Sequence, residues 1–128
     1  MYPNDCKYTK DHEWVKVSGK KAVIGVTAFA AQQLGDVVFV QLPEVGTEVV
    51  KGKTIGVIES VKTVSDMYAP VSGKVLMKND ELGNSPELIN SDAFGKGWIA
   101  EIEMSSPDEV NSLMDARAYE DHCAKSGH

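Results

Sequence analysis

Two cysteines in 128 residues, Cys6 and Cys123, lie near opposite ends of the chain with no C-x-x-C spacing, which excludes a disulfide framework and points to free thiols in a reducing compartment. His12, His122 and His128 share no metal-ligand spacing, so a metal site is not expected. No apolar run approaches the roughly 20 residues that cross a bilayer, which argues against a membrane-spanning helix. Lys and Arg are not clustered, and the net charge is −6, which argues against nucleic acid as a partner. The opening Met1-Tyr2-Pro3-Asn4-Asp5 has neither the apolar core of a secretory signal nor the Arg-rich look of a transit peptide. A cytoplasmic, bacterial protein is therefore expected, with a mature mitochondrial matrix form as the alternative.

Hydrophobic residues at 42% and charged residues at 25% suit one globular domain spanning residues 1–128 with its own core. The first two-thirds read as β-structure. Glu13–Val17 and Lys20–Val26 are β-branched runs around Ser18-Gly19, a hairpin signal. Thr27 is placed to cap a short helix over Ala28–Leu34, which Gly35 ends. Asp36–Leu42, Thr47–Val50, Thr54–Ser60, Val64–Ala69, Gly73–Lys78 and Trp98–Met104 supply further strands, punctuated by Pro43 and Pro70. Short strands at this spacing predict a mainly β fold, a flattened antiparallel barrel or sandwich over about residues 7–104.

The end differs in kind. Ser106-Pro107-Asp108-Glu109 is a capping-box start with proline at the first helical position, predicting one or two C-terminal helices over about residues 106–124. Val110, Leu113 and Met114 would share their buried face, with Ala118 and Tyr119 extending it, and Lys125–His128 would fray. Trp14, Trp98, Phe39 and Ile58 are expected in the core, Trp14 near a cleft, and Gly25, Gly46, Gly73 and Gly97 at turns or bulges with unusual backbone angles.

One hairpin stands out. Ile58-Glu59-Ser60-Val61-Lys62-Thr63-Val64-Ser65-Asp66 places Lys62 at or beside the tip of a tight turn, where its amine projects into solvent on a flexible stem. A weak internal echo, Val45-Gly46-Thr47-Glu48-Val49-Val50 against Leu82-Gly83-Asn84-Ser85-Pro86-Glu87-Leu88, is centred near this lysine.

Glu59-Ser60-Val61-Lys62, followed by Ala69-Pro70-Val71-Ser72-Gly73, resembles the lipoyl-attachment region of glycine cleavage system H proteins. The likeness extends in order through His12-Glu13-Trp14-Val15, Gly25-Val26-Thr27, Leu34-Gly35-Asp36-Val37-Val38-Phe39-Val40, Leu42-Pro43-Glu44-Val45-Gly46, Asn84-Ser85-Pro86-Glu87-Leu88-Ile89-Asn90 and Gly97-Trp98. Biotin carriers, with methionine on both sides of their lysine, and 2-oxo acid dehydrogenase lipoyl domains, with aspartate before it, are less similar to Val61-Lys62-Thr63. Ala28-Phe29 and Ala93-Phe94 depart from the family, each keeping an aromatic and losing a hydroxyl.

The resemblance implies a barrel-sandwich hybrid fold and lipoic acid in amide linkage to Lys62, installed by a lipoate ligase or lipoyltransferase. Glu59, Val61 and Thr63 would then serve attachment-site recognition. It further implies that the lipoyl arm takes an aminomethyl group from pyridoxal-phosphate glycine decarboxylase to a tetrahydrofolate-dependent aminomethyltransferase, and is reoxidised by dihydrolipoyl dehydrogenase. The chain itself would be a non-catalytic, monomeric carrier. Glu13, with Asp66 second, is the candidate to meet the amine of a loaded arm. An H-like lipoate relay to other enzymes is the alternative reading.

Overall fold

The computed structural model describes residues 2–126, so Met1, Gly127 and His128 lie outside it. Among the described residues, nine strands form two antiparallel sheets. The larger has the order β1 (Lys7–Tyr8), β2 (Glu13–Ser18), β3 (Lys21–Val26), β9 (Ala100–Met104), β8 (Gly73–Lys78), β5 (Glu48–Val49). The smaller runs β4 (Val37–Gln41), β6 (Thr54–Ser60), β7 (Val64–Tyr68). The sheets do not close into a barrel, and both contribute to one core, with Val15, Ala22, Ile24, Val75 and Ile102 from the first and Val37, Val40, Ile58 and Met67 from the second.

Helix α1 (Ala28–Leu34) bridges the sheets as its caps predict. The Thr27 hydroxyl accepts from the Ala30 N–H at 3.2 Å, and Gly35 at φ +78° returns its N–H to the Ala31 carbonyl. Two short helical turns, α2 (Glu81–Asn84) and α3 (Leu88–Ser91), stand where the internal echo falls, whereas its first copy forms a turn and β5. The echo therefore has no structural counterpart.

The C-terminal segment differs from its capping-box reading. Pro107–Ser112 is a single 3₁₀ stretch, and the Ser106 side chain caps nothing. Glu109, which would have closed the box, accepts instead from the Ser72 N–H at 2.6 Å and the Ser72 hydroxyl at 2.9 Å, tying the stretch to the sheet. Leu113 is extended, and Met114 exchanges both backbone hydrogen bonds with Tyr8 at 2.8 and 2.9 Å, so these residues share no helix face with Val110. Helix α4 (Ala116–Ser126) starts afresh, with Asp115 Oδ1 accepting from the Ala118 N–H at 2.8 Å. Lys125 and Ser126 continue it; the rest of the tail expected to fray lies outside the described residues.

Helix α4 covers a second, aromatic cluster of Tyr8, Trp14 and Tyr119, with Tyr2, Phe94 and Trp98 packed against it. Tyr8 and Tyr119 stack with ring centroids 4.7 Å apart. Cys6 and Cys123 are free thiols buried in this cluster, and burial pushes the Cys6 thiol up to about 11.

Two expectations need correction. Phe39 is 51% exposed and Val38 beside it 53%, because a bulge between Val37 and Phe39 turns the middle of edge strand β4 outward. Gly25 and Gly97 have ordinary backbone angles, and what they lack is room: a Cβ on Gly25 would stand 2.6 Å from the buried Trp14 ring, and one on Gly97 2.7 Å from the Leu88 carbonyl. Gly25→Ala should displace the indole, costing about 1–3 kcal/mol by overpacking. Urea unfolding followed by tryptophan emission measures this, and both the midpoint and the native emission maximum should shift.

Candidate functional site

The β6–β7 hairpin presents Lys62 on a turn locked from inside. Ser60 N–H donates to the Thr63 carbonyl at 2.8 Å, while the Ser60 hydroxyl oxygen accepts from the Thr63 N–H at 3.1 Å and the Lys62 N–H at 3.3 Å. From outside the hairpin, Val61 N–H donates to the Asp36 carbonyl at 3.0 Å. Four backbone N–H groups in four consecutive residues are thus bonded, so the loop is rigid although its side chains are exposed. Lys62 is solvent-exposed, and its stem runs over Gly35, where a Cβ would lie 3.3 Å from Lys62 Cε.

Around the lysine several apolar side chains are exposed. Val61 is 70% exposed and Val64 65%, and Phe39 joins them because Glu59 pairs with both Phe39 and Val64 across the sheet. Glu59 is half-buried between these neighbours, and Thr63 is exposed beside the lysine.

From Thr63 a cleft of about 400 Å³ runs between α1 and β7 to the start of β2, lined among others by Phe29, Leu34, Ile58, Asp66, His12 and Glu13. Asp66 is an exposed wall residue; Glu13 is 5% exposed. The structure therefore brings both acids proposed from sequence to one cleft.

Glu13 is positioned by a turn that sequence reading passed over. Its own N–H donates to the Thr9 hydroxyl oxygen at 3.1 Å, and the Thr9 hydroxyl donates to Glu13 Oε1 at 2.6 Å. The Tyr68 N–H reaches Oε2 at 3.4 Å. Burial dominates the electrostatics and raises the carboxyl to about 7, opposed by the Thr9 bond, assisted by the charge of Asp11, and opposed by the Tyr68 N–H. Threonine four residues before a glutamate was the available signal. His12, at φ +71°, holds a backbone conformation that costs a non-glycine residue on the order of 1–3 kcal/mol, and burial, followed by the charge of His122, lowers its imidazole.

A buried acid with a raised value makes stability pH-dependent in a defined direction. The folded chain keeps the Glu13 proton up to about pH 7, whereas the unfolded chain releases it near 4.5. The stabilisation is complete below pH 4.5 and is lost as pH rises through about 7, by about 3 kcal/mol. Urea midpoints of wild type and Glu13→Gln should therefore diverge between pH 4.5 and 8, with the wild type losing stability relative to the variant; parallel curves would show that Glu13 ionises normally.

The arrangement can hold one exposed amine at a fixed apex beside a groove that ends in a buried carboxyl. Residues 6–126 match the family model described as Glycine cleavage H-protein. The chain is 56% identical over 118 residues to the glycine cleavage system H protein of Symbiobacterium thermophilum, covering 92% of each. It is 51% identical over 119 residues to the probable glycine cleavage system H protein of Haloarcula marismortui, covering 93% of this chain and 94% of that one. The crystal structure of a glycine cleavage system H protein from Mycobacterium marinum superposes with a TM-score of 0.86 at 36% identity, over 99% of this chain and 100% of the other. With its whole folded length so matched, the chain belongs to the glycine cleavage H-protein family.

Proposed function

We propose that Lys62 carries lipoic acid in amide linkage, in a chain whose family membership makes it the lipoyl carrier of glycine cleavage. The observation behind this reading is the apex lysine itself: exposed, on a turn with no slack, its stem laid across a glycine that leaves space for it. The residues fit the group. A linear stem and acyl chain reach roughly 10–15 Å from the lysine Cα, enough to lie along the adjoining cleft or extend into a partner's active site. When bound, lipoate supplies a reducible disulfide that accepts a one-carbon amine and gives it up.

What the chain's own residues contribute is presentation and protection. The exposed Val61, Val64 and Phe39, with Glu59 set among them, form an apolar collar with an acidic centre for a lipoate ligase or lipoyltransferase to grip. In the cleft, Glu13 offers a carboxyl whose ionisation becomes favourable once a cationic amine lies beside it, because the pair satisfies two charges in one water-poor place. Asp66, exposed on the wall, draws the cation in rather than holding it. The partners in this reading are glycine decarboxylase, the aminomethyltransferase that passes the carbon to tetrahydrofolate, and dihydrolipoyl dehydrogenase, with the chain non-catalytic and cytoplasmic. No helix among the described residues is long and apolar enough to cross a membrane.

Incubation with lipoate, ATP and a lipoate ligase should add one lipoyl mass to the intact chain, at Lys62 and at no other lysine. Lys62→Arg should abolish it and Glu59→Ala slow it several-fold; an unmodified wild type would overturn the carrier assignment of this lysine. For the loaded protein, Glu13→Gln should hasten release of ammonia and formaldehyde about tenfold, the scale of one charge-assisted hydrogen bond. An unchanged decay rate would remove Glu13 from the docking role.

A further inference from the structure

Helix α4 lies outside the cleft, yet one of its side chains is bonded to the cleft on both sides. The Tyr119 ring is fully buried. Its hydroxyl is 2.7 Å from His12 Nδ1 and 2.7 Å from Thr27 Oγ1. His12 lines the cleft directly before Glu13, and Thr27 is the cap of α1, whose Phe29, Ala30 and Leu34 form the cleft's wall. We propose that Tyr119 is a positioning residue for the arm cleft, its hydroxyl joining the turn that aims Glu13 to the helix that walls the groove. This inference rests on the docking reading above.

The geometry around His12 supports the role. It is the one non-glycine residue at positive φ among the described residues, and a strained backbone persists only where its surroundings hold it. Several contacts hold it. His12 N–H donates to the Thr9 carbonyl at 3.1 Å, its carbonyl accepts from the Thr27 N–H at 3.0 Å, its ring lies 4.7 Å from that of Phe29, and Nδ1 meets Tyr119. The first belongs to the same Thr9–Glu13 turn that fixes the Glu13 carboxyl, and the next two belong to α1. The Tyr119 hydroxyl is the contact that secures this junction from behind.

Hydrogen counting gives the chain a direction. Thr27 Oγ1 already accepts from the Ala30 N–H, so its own hydrogen is free to go to Tyr119, whose hydrogen then goes to His12 Nδ1. In that direction both hydroxyl hydrogens are used within the chain and Nδ1 accepts, which is the neutral tautomer protonated on Nε2. The opposite direction makes Thr27 Oγ1 accept twice and leaves its hydrogen without a place in the chain. A protonated imidazole can only donate, so it forces that reversed direction. The charged and titratable groups facing His12 are Asp11 and Glu13 on its own segment, Asp66 across the cleft, and His122 on α4, whose ring lies 5.5 Å away and whose Nε2 meets the Lys10 carbonyl. Burial and His122 favour the neutral ring, against Asp11.

Tyr119→Phe keeps the stack on Tyr8 and removes only the hydroxyl, so the test uses the full chain in two states. In unmodified protein, imidazole nitrogen NMR of the wild type should show Nδ1 bare and Nε2 protonated. Tyr119→Phe should raise the pH at which His12 titrates and move the Ala30 and Glu13 amide resonances; an unchanged His12 titration and unmoved amides would overturn the junction. In lipoylated, loaded protein, Tyr119→Phe should speed amine release about fivefold, the effect of one neutral hydrogen bond. Adding His12→Asn, a residue that tolerates positive φ, should then increase release little further. Release hastened by Glu13→Gln and unchanged by Tyr119→Phe would defeat this proposal alone, whereas release unchanged in both would defeat the docking reading and this one together.

Discussion

The carrier geometry depends on the hydrogen bonds that close the turn between β6 and β7. A lysine on a mobile loop would spread its amine over a large volume, and any group attached to it would wander further. Here Ser60 bonds three ways across the turn, to the Thr63 carbonyl and to two N–H groups, and the Asp36 carbonyl takes the Val61 N–H from a neighbouring segment. Backbone freedom is removed at the base of the stem, so the remaining freedom lies in the side chain alone. A short rigid base with a long flexible stem suits a group that must enter different active sites from one anchor.

The same neighbouring segment links the turn to the cleft. Gly35 ends α1, passes beneath the Lys62 stem and leads into Asp36, which holds the turn, and then into β4. Its carbonyl also accepts from the Asn90 side chain at 2.7 Å, and Asn90 Oδ1 accepts from the Val37 N–H at 2.9 Å, so α3 clamps the junction. The short helices that looked incidental therefore hold the segment from which the lysine turn hangs. At the far end of α1, Thr27 and Tyr119 perform the corresponding task for the groove.

Burial of Glu13 works against stability at neutral pH. A carboxyl with few partners in a nearly closed place resists ionisation at neutral pH. Its contribution to folding is thereby smaller at pH 7 than at pH 5, and in the docking role proposed for it a cation entering the cleft would offset that loss.

Much of this was legible in the residues. Strands β2 to β9 followed, to within about two residues at each end, from β-branched runs and punctuation by glycine and proline, the α1 caps from Thr27 and Gly35, and the turn position of Lys62 from its hairpin, whereas β1, α2 and α3 had no such signal. These are local properties, decided by backbone sterics and hydrogen bonds within a few residues. Tertiary structure decided the rest. Glu109 looked like a capping residue and became a partner of Ser72; Phe39 looked like core and faces solvent across a bulge; His12 looked uninformative and holds the junction of two cleft walls. In each case the choice lay between two locally acceptable partners. Which one wins depends on what a segment distant in sequence places beside it, and no periodicity records that.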